Sequence, residues 1–191
     1  MTSIEKQTRL SSTAVKEQLK IGSAMVNPDI KFSSAALSLV LAHIRNVYCQ
    51  HVGKDIMAAL EYSKSKTVTD KLLKVIKMTE WSDYPVPSYH IKMCTVLRLI
   101  KSVVPNVRIQ QQVKVILQHH MCMLVFLIGY ASAKHSIGNV VKAEDITYVF
   151  DNLTISPKSI VTPPIPRLST IKLEENDTQL KEAIEIAVTS V

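Results

Sequence analysis

Two short stretches, Asn27-Pro28-Asp29-Ile30-Lys31-Phe32 and Val104-Pro105-Asn106-Val107-Arg108-Ile109, share one order of proline, Asn or Asp, aliphatic, basic and apolar residue. Each lies between helical periodicities, so together they mark an internal repeat, and a repeat fixes an architecture before any single element does. In the first copy Val15, Leu19, Ala24 and Met25 predict a short helix ahead of the loop. After it, Leu37, Val40, Leu41, Ile44, Val47, Tyr48, Ile56, Ala59 and Leu60 mark a long helix of about thirty residues from Ser33, weakened only at Gly53. Lys66-Thr67-Val68-Thr69 is β-branched and extended, and Thr69 is placed to cap a closing helix from Asp70 to Met78. The second copy repeats the order: a helix from Ser88 to Val104, a long one from Gln110 to about Lys134, the extended Asn139-Val140-Val141-Lys142, and a last helix from Ala143 to Leu153. The loop prolines are 77 residues apart and Val68 and Val141 only 73. The first long helix is therefore four residues longer, about one turn, an insertion that would keep its face in register.

A short, a long and a short helix cannot bury the long one alone, because a helix of that length needs partners along most of its sides. The second copy is the natural partner, which predicts an all-α fold of two tandem units in one pseudo-symmetric core. The chain then divides into a short N-terminal tail (1–11), a first unit (12–78), a linker (79–87), a second unit (88–153) and a C-terminal segment (154–191). Two prolines one residue apart, Pro85 and Pro87, identify the linker, and four prolines between Ser156 and Pro166 end the second unit in the same way. Leu180, Ala183, Ile184, Ala187 and Val188, behind the possible cap Asp177, have the spacing of an amphipathic C-terminal helix.

Only 4 glycines in 191 residues and 47% hydrophobic content exclude collagen, low-complexity disorder and a loop-rich all-β chain. The net charge of +7 is unevenly placed: +6 on residues 1–78, +4 on 88–153, −2 on the linker and −1 on the C-terminal segment. Only the excess on the two units bears on a polyanionic partner. Cys49, Cys94 and Cys122 are an odd count within helical patterns, so they read as small core residues in a reducing compartment. The N-terminus has no apolar signal core, and the apolar run Met121 to Ala131 falls short of the ~18 residues of a membrane span, so the expectation is a soluble, non-secreted protein.

Chemistry-bearing motifs are sparse. His119 and His120 beside Cys122 suggest a metal site, but adjacent helical residues point about 100° apart and no second pair stands at ligand spacing. No Gly-x-Ser-x-Gly frames a nucleophile and no glycine-rich loop cradles a phosphate. The expectation is a non-enzyme with no cofactor, no metal and no small-molecule substrate.

The layout and its residues resemble the histone fold. Asn27-Pro28-Asp29-Ile30-Lys31-Phe32-Ser33-Ser34-Ala35-Ala36-Leu37 is similar to the first loop and long-helix start of histone two-B, His-Pro-Asp-x-x-Ile-Ser-Ser-x-Ala-Met. Tyr62-Ser63-Lys64-Ser65-Lys66-Thr67-Val68-Thr69 is similar to its second loop, Tyr-Asn-Lys-Arg-Ser-Thr-Ile-Thr. In the second copy, Val140-Val141-Lys142-Ala143-Glu144-Asp145-Ile146 resembles a generic histone second loop and last helix, and Arg108-Ile109 falls where histone two-A carries Arg-Val. Two such units on one chain resemble the histone doublets of giant DNA viruses, the short length resembling the miniature doublet of the marseillevirus type. The chain departs from the family in three ways. Residues 1–11 hold only Lys6 and Arg9, arginine occurs five times in all, and Gln110 to His135 contains no Asp or Glu where histone two-A contributes most of an acidic patch.

The resemblance implies a DNA-packaging protein that forms nucleosome-like particles with other histone-fold chains, such as a companion doublet. Its location would be a virion or viral factory, or alternatively nuclear chromatin, with no membrane partner. The rival is a histone-fold subunit of a transcription or remodelling complex that acts through assembly. Head-to-tail pairing of the units would put Lys31 near Lys134, Asn139 and Lys142, and Arg108 near Lys64, Lys66 and Thr67, with Lys16, Lys20 and Lys101 added by the first helices. Three cationic points would suit a curved duplex, bound by its phosphates without base reading, as in the nucleosome. Met121 to Ile128 is apolar on every face, so Met123, Phe126 and Leu127, with Tyr148 and Phe150 of the last helix, are expected at an interface with another chain.

Overall fold

Three helix starts among the described residues are set by small hydroxyl residues. The computed structural model describes residues 10–79 and 86–152. The side chain of Ser11 accepts from the Ala14 amide and opens α1 (Ser12–Ala24). Ser33 does the same for Ala36 at the head of α2 (Ser34–Asn46), and Thr69 for Leu72 at the head of α4 (Asp70–Val75). Each satisfies one of the amides that a first turn leaves without a helical acceptor.

The first long helix is continuous but not uniform. A π-helical turn (Val47–Val52) joins α2 to α3 (Gly53–Tyr62), and the Gly53 amide reaches back five residues to the Tyr48 carbonyl. Its core stripe, Ala36, Val40, Ile44, Tyr48, Val52, Ile56 and Leu60, has a strict spacing of four. On an α-helix that spacing drifts by about 40° per step, since four residues exceed the ~3.6 of a turn. The wider π turn takes up part of the drift. Extra residues are thus absorbed by a local change of helix type, which corrects the expectation that one added turn would keep the face in register by itself.

The second half contains α5 (Met93–Val103) and α6 (Gln111–His135), followed by α7 (Ala143–Asn152). Between the helices lie four two-residue strands: β1 (Lys31–Phe32), β2 (Thr67–Val68), β3 (Arg108–Ile109) and β4 (Val140–Val141). β1 pairs in parallel with β4 and β2 with β3, so each half completes the loops of the other. The helices exchange in the same way: α1 lies on α6, α5 on the π turn and α3, α7 on α2, and α4 on α6. All the described residues belong to one compact unit.

Two helices differ from expectation. α5 begins five residues later than Ser88, because the preceding backbone is tied elsewhere: the His90 amide donates to the Gln18 side chain and the Ile91 carbonyl accepts from Gln118. α4 stops at Val75 rather than Met78, with Lys77 in the left-handed region at φ 57°. The expected helix beyond Asp177 lies outside the described residues.

α6 is long and apolar enough to cross a membrane by composition, a match that counting one uninterrupted apolar run misses, yet 72% of its most apolar window is buried in the fold. Every residue from His119 to Gly129 is buried. Met123, Phe126 and Leu127 are only 2%, 6% and 7% exposed, which corrects their expected place at an interface with a second chain. The exchanged helices already surround α6, so no external surface is required to cover it. Phe150 is half-buried and its ring stacks on His43 at 3.8 Å, while the exposed Tyr148 stacks on His135 at the same distance.

The crossing of α1 and α6 leaves no room for side chains. A Cβ on Gly22 would collide with the Phe126 carbonyl, and one on Gly129 with the Leu19 carbonyl.

Candidate nucleic-acid interface

The two strand pairs gather the loop cations into two clusters. At the first, the Lys31 amide donates to the Asn139 carbonyl at 2.8 Å and the Ser33 amide to that of Val141 at 3.0 Å. The Asn27 side-chain amide adds a bond to Asn139 Oδ1 at 3.0 Å. This pairing holds the exposed Lys31, Asn139 and Lys142 at one end of the fold, and Lys134 lies exposed in the last turn of α6 before β4. At the second, the Arg108 amide donates to the Lys66 carbonyl at 3.0 Å and the Gln110 amide to Val68 at 3.3 Å. The hydroxyl of Ser65 accepts from the Thr67 amide, and Lys64 takes a left-handed φ of 52°, which turns the chain into β2. Lys64, Lys66 and Arg108 are exposed around a half-buried Thr67.

The first-helix contribution is weaker. Lys20 pairs with Glu17 at 3.0 Å, which neutralises its charge locally, and Lys16 is half-buried. Lys101, expected with those two, instead lines an open cleft of about 340 Å³ with Arg108 and Lys114, over Leu97, Val107 and Ile109. Lys114 is a cation that the loop motifs could not flag, because it belongs to the first turn of α6 rather than to the repeat pattern. Its ammonium is steadied by Gln111 Oε1 at 3.1 Å. Gln110 offers no side-chain cap to the helix that follows.

The tempting histidines serve the core instead. His119 Nδ1 lies 2.8 Å from the Tyr89 hydroxyl, and His120 Nδ1 lies 2.9 Å from that of Tyr48, so the two rings diverge. The Tyr48 hydroxyl is also 3.3 Å from the Leu117 carbonyl. A phenol has one proton, so both contacts are hydrogen bonds only when the imidazole N–H donates to the phenol oxygen and the phenol donates to the carbonyl. Burial, with His119 adjacent, pushes the His120 imidazole down to about 3 and keeps it neutral. Burial likewise raises the Cys122 thiol to about 11. Among the described residues, no group of three or more His, Cys, Asp or Glu side chains is placed to hold a metal ion.

A cleft of about 690 Å³ opens between α3 and α4, where Tyr62 (94% exposed) and Val75 (78%) stand out of the fold.

No protein-family model matches the chain, and neither does any curated protein sequence. Among solved structures, the histone from Methanopyrus kandleri superposes with a TM-score of 0.57 at 18% identity, over 72% of this chain and 91% of that one. Since 72% of 191 residues is about 138, and residues 12–78 number only 67, the superposition spans both halves. Exchanged strands, exchanged helices and this likeness together show that the chain has a histone fold.

Proposed function

We propose that the chain is an architectural DNA-packaging protein, in which two tandem histone folds on one chain replace a histone heterodimer. It joins other histone-fold chains to wrap duplex DNA, holding the phosphate backbone without reading bases. The observation that carries this reading is the reciprocal pairing of β1 with β4 and β2 with β3, which sets loop cations from both halves side by side. Phosphate binding of this kind requires fixed cations and backbone positions, not base-edge contacts. The tandem arrangement is further supported by a single histone chain matching both halves. The first half is read as the histone two-B-like unit and the second as the two-A-like one, on the loop motifs they carry. A viral doublet of the marseillevirus type, acting in a virion or viral factory, is the extension of that reading.

Assembly with further chains has its own support in the cleft between α3 and α4, where Tyr62 and Val75 offer apolar surface to a partner. If that surface were the main function, the chain would be a subunit of a larger complex with incidental DNA contact. One experiment separates the two. The protein is mixed with a companion histone pair and DNA, and the product is digested with micrococcal nuclease. Packaging gives protection of a discrete length, whereas smooth digestion at near-physiological salt overturns it.

A further inference from the structure

We propose that the duplex is gripped chiefly at the β2–β3 end of the fold, with successive backbone phosphates held along the cleft of Lys101, Arg108 and Lys114, and that the β1–β4 end adds little affinity. This rests on the DNA-packaging reading above.

The pseudo-symmetry permits a like-for-like comparison of charge. Take the residues from six before to three after β1 and β2, and from seven before to five after β3 and β4. At the β2–β3 end these windows (61–71 and 101–114) hold Lys64, Lys66, Lys71, Lys101, Arg108 and Lys114 against Glu61 and Asp70, a net +4. At the β1–β4 end (25–35 and 133–146) they hold Lys31, Lys134 and Lys142 against Asp29, Glu144 and Asp145, a net of zero. The backbone is alike at the two ends and the electrostatics are not.

Local geometry sharpens the contrast. The Asp145 carboxylate accepts from the Lys142 amide at 2.7 Å, so its negative charge is fixed beside that lysine. In the cleft, none of Lys101, Arg108 and Lys114 forms an ion pair with a described carboxylate. Among the described residues, their one side-chain partner is the neutral Gln111 amide, which steadies Lys114 without cancelling its charge. Arg108 is anchored through its own backbone to Lys66, so its guanidinium projects from a pinned strand. Three cations along an open cleft, with the planar donor fork of an arginine among them, suit successive phosphodiesters of a backbone. Affinity for duplex DNA follows the number of phosphates neutralised, and an end of zero net charge displaces few counterions.

The test uses the full chain, a 30-base-pair duplex of random sequence, and fluorescence anisotropy between 50 and 200 mM salt. The triple variant K101Q/R108Q/K114Q is expected to lose more than about tenfold in affinity, and to reduce the salt slope by roughly 2–3 units. The triple variant K31Q/K134Q/K142Q is expected to lose less than about threefold, with under one unit of slope. Equal losses from the two overturn this proposal and leave the packaging reading standing. A wild-type chain that does not bind the duplex overturns the packaging reading itself. Should the cleft triple fail to fold by circular dichroism, K101Q and K114Q are measured singly, and each must reduce the slope by about 0.9. Inorganic pyrophosphate at constant ionic strength forms the second arm. If it binds the wild type but not the cleft triple, while both bind the duplex equally, the cleft serves a free anion and the proposal falls.

Discussion

Gly22 of α1 and Gly129 of α6 meet across a helix crossing in which each glycine lies against the other helix's backbone, Gly22 on the Phe126 carbonyl and Gly129 on that of Leu19. Replacement of either by alanine is expected to destabilise the fold by ~2–4 kcal/mol, because the obstacle is main chain that cannot rotate away. The gain of about 1 kcal/mol in helix propensity is too small to offset this. Urea unfolding should show a lower midpoint for Gly22→Ala and Gly129→Ala at unchanged slope.

Gly53 provides the contrast. A Cβ there would meet Val103 side-chain atoms at 3.0 Å and the Tyr48 carbonyl at 3.1 Å, contacts that require the neighbours to give by only a few tenths of an ångström, unlike the backbone overlaps at Gly22 and Gly129. With helix propensity acting the other way, Gly53→Ala should stay within about 1 kcal/mol of wild type in the same unfolding measurement.

His120 gives the fold an acid limit. Its folded value of about 3 lies below the ordinary 6.5, so protonation favours the unfolded chain. Stability from this group is intact above pH 6.5 and is lost as the pH falls toward 3, roughly 2–3 kcal/mol of it by pH 4.5. His43, whose imidazole is also lowered by burial and by His51, acts in the same direction. His120→Leu should be less stable than wild type at pH 7, since Tyr48 loses a partner, but its urea midpoint should fall less between pH 6.5 and 4.5.

Asp145 closes the start of α7 by accepting the Lys142 amide. Asp145→Asn preserves an acceptor oxygen and removes the charge. Duplex affinity at 100 mM salt should therefore rise about two- to fourfold, while the loss in stability should remain near 0.5–1 kcal/mol. Anisotropy titration and a thermal melt of the same variant check the two parts.

Much of the fold was legible because loop chemistry is local. Pro28 and Pro105 with their following Asx residues marked the first loops, and the β-branched Thr67-Val68 and Val140-Val141 marked the second. A shared core then followed from the need of each long helix for cover, and the head-to-tail pairing from the resemblance to histones. Features set by contact with distant residues were not legible. The start of α5 depends on Gln18 and Gln118, the crossing at Gly22 and Gly129 depends on the approach of two backbones, and the π turn depends on matching a 29-residue helix to one of 25. Met123, Phe126 and Leu127 were misplaced for a related reason. An all-apolar surface shows that a helix is surrounded, but not whether its neighbours come from the same chain. The cation cleft was half legible: Arg108 lies in the repeat motif, while Lys101 and Lys114 join it only when the ends of α5 and α6 are folded together.

The exchanged strands also set an order of events during synthesis. β1 finds its partner only when Val140 and Val141 exist, and β2 only when Arg108 and Ile109 do. At about 5–20 residues per second, the 73 residues between Val68 and Val141 take the ribosome roughly 4–15 s. Phe32 lacks its native partner throughout that interval, whereas Val68 lacks its own only until Ile109 is made. The nascent chain is then exposed to mispairing with a neighbouring copy, and the risk passes only when the last strand emerges.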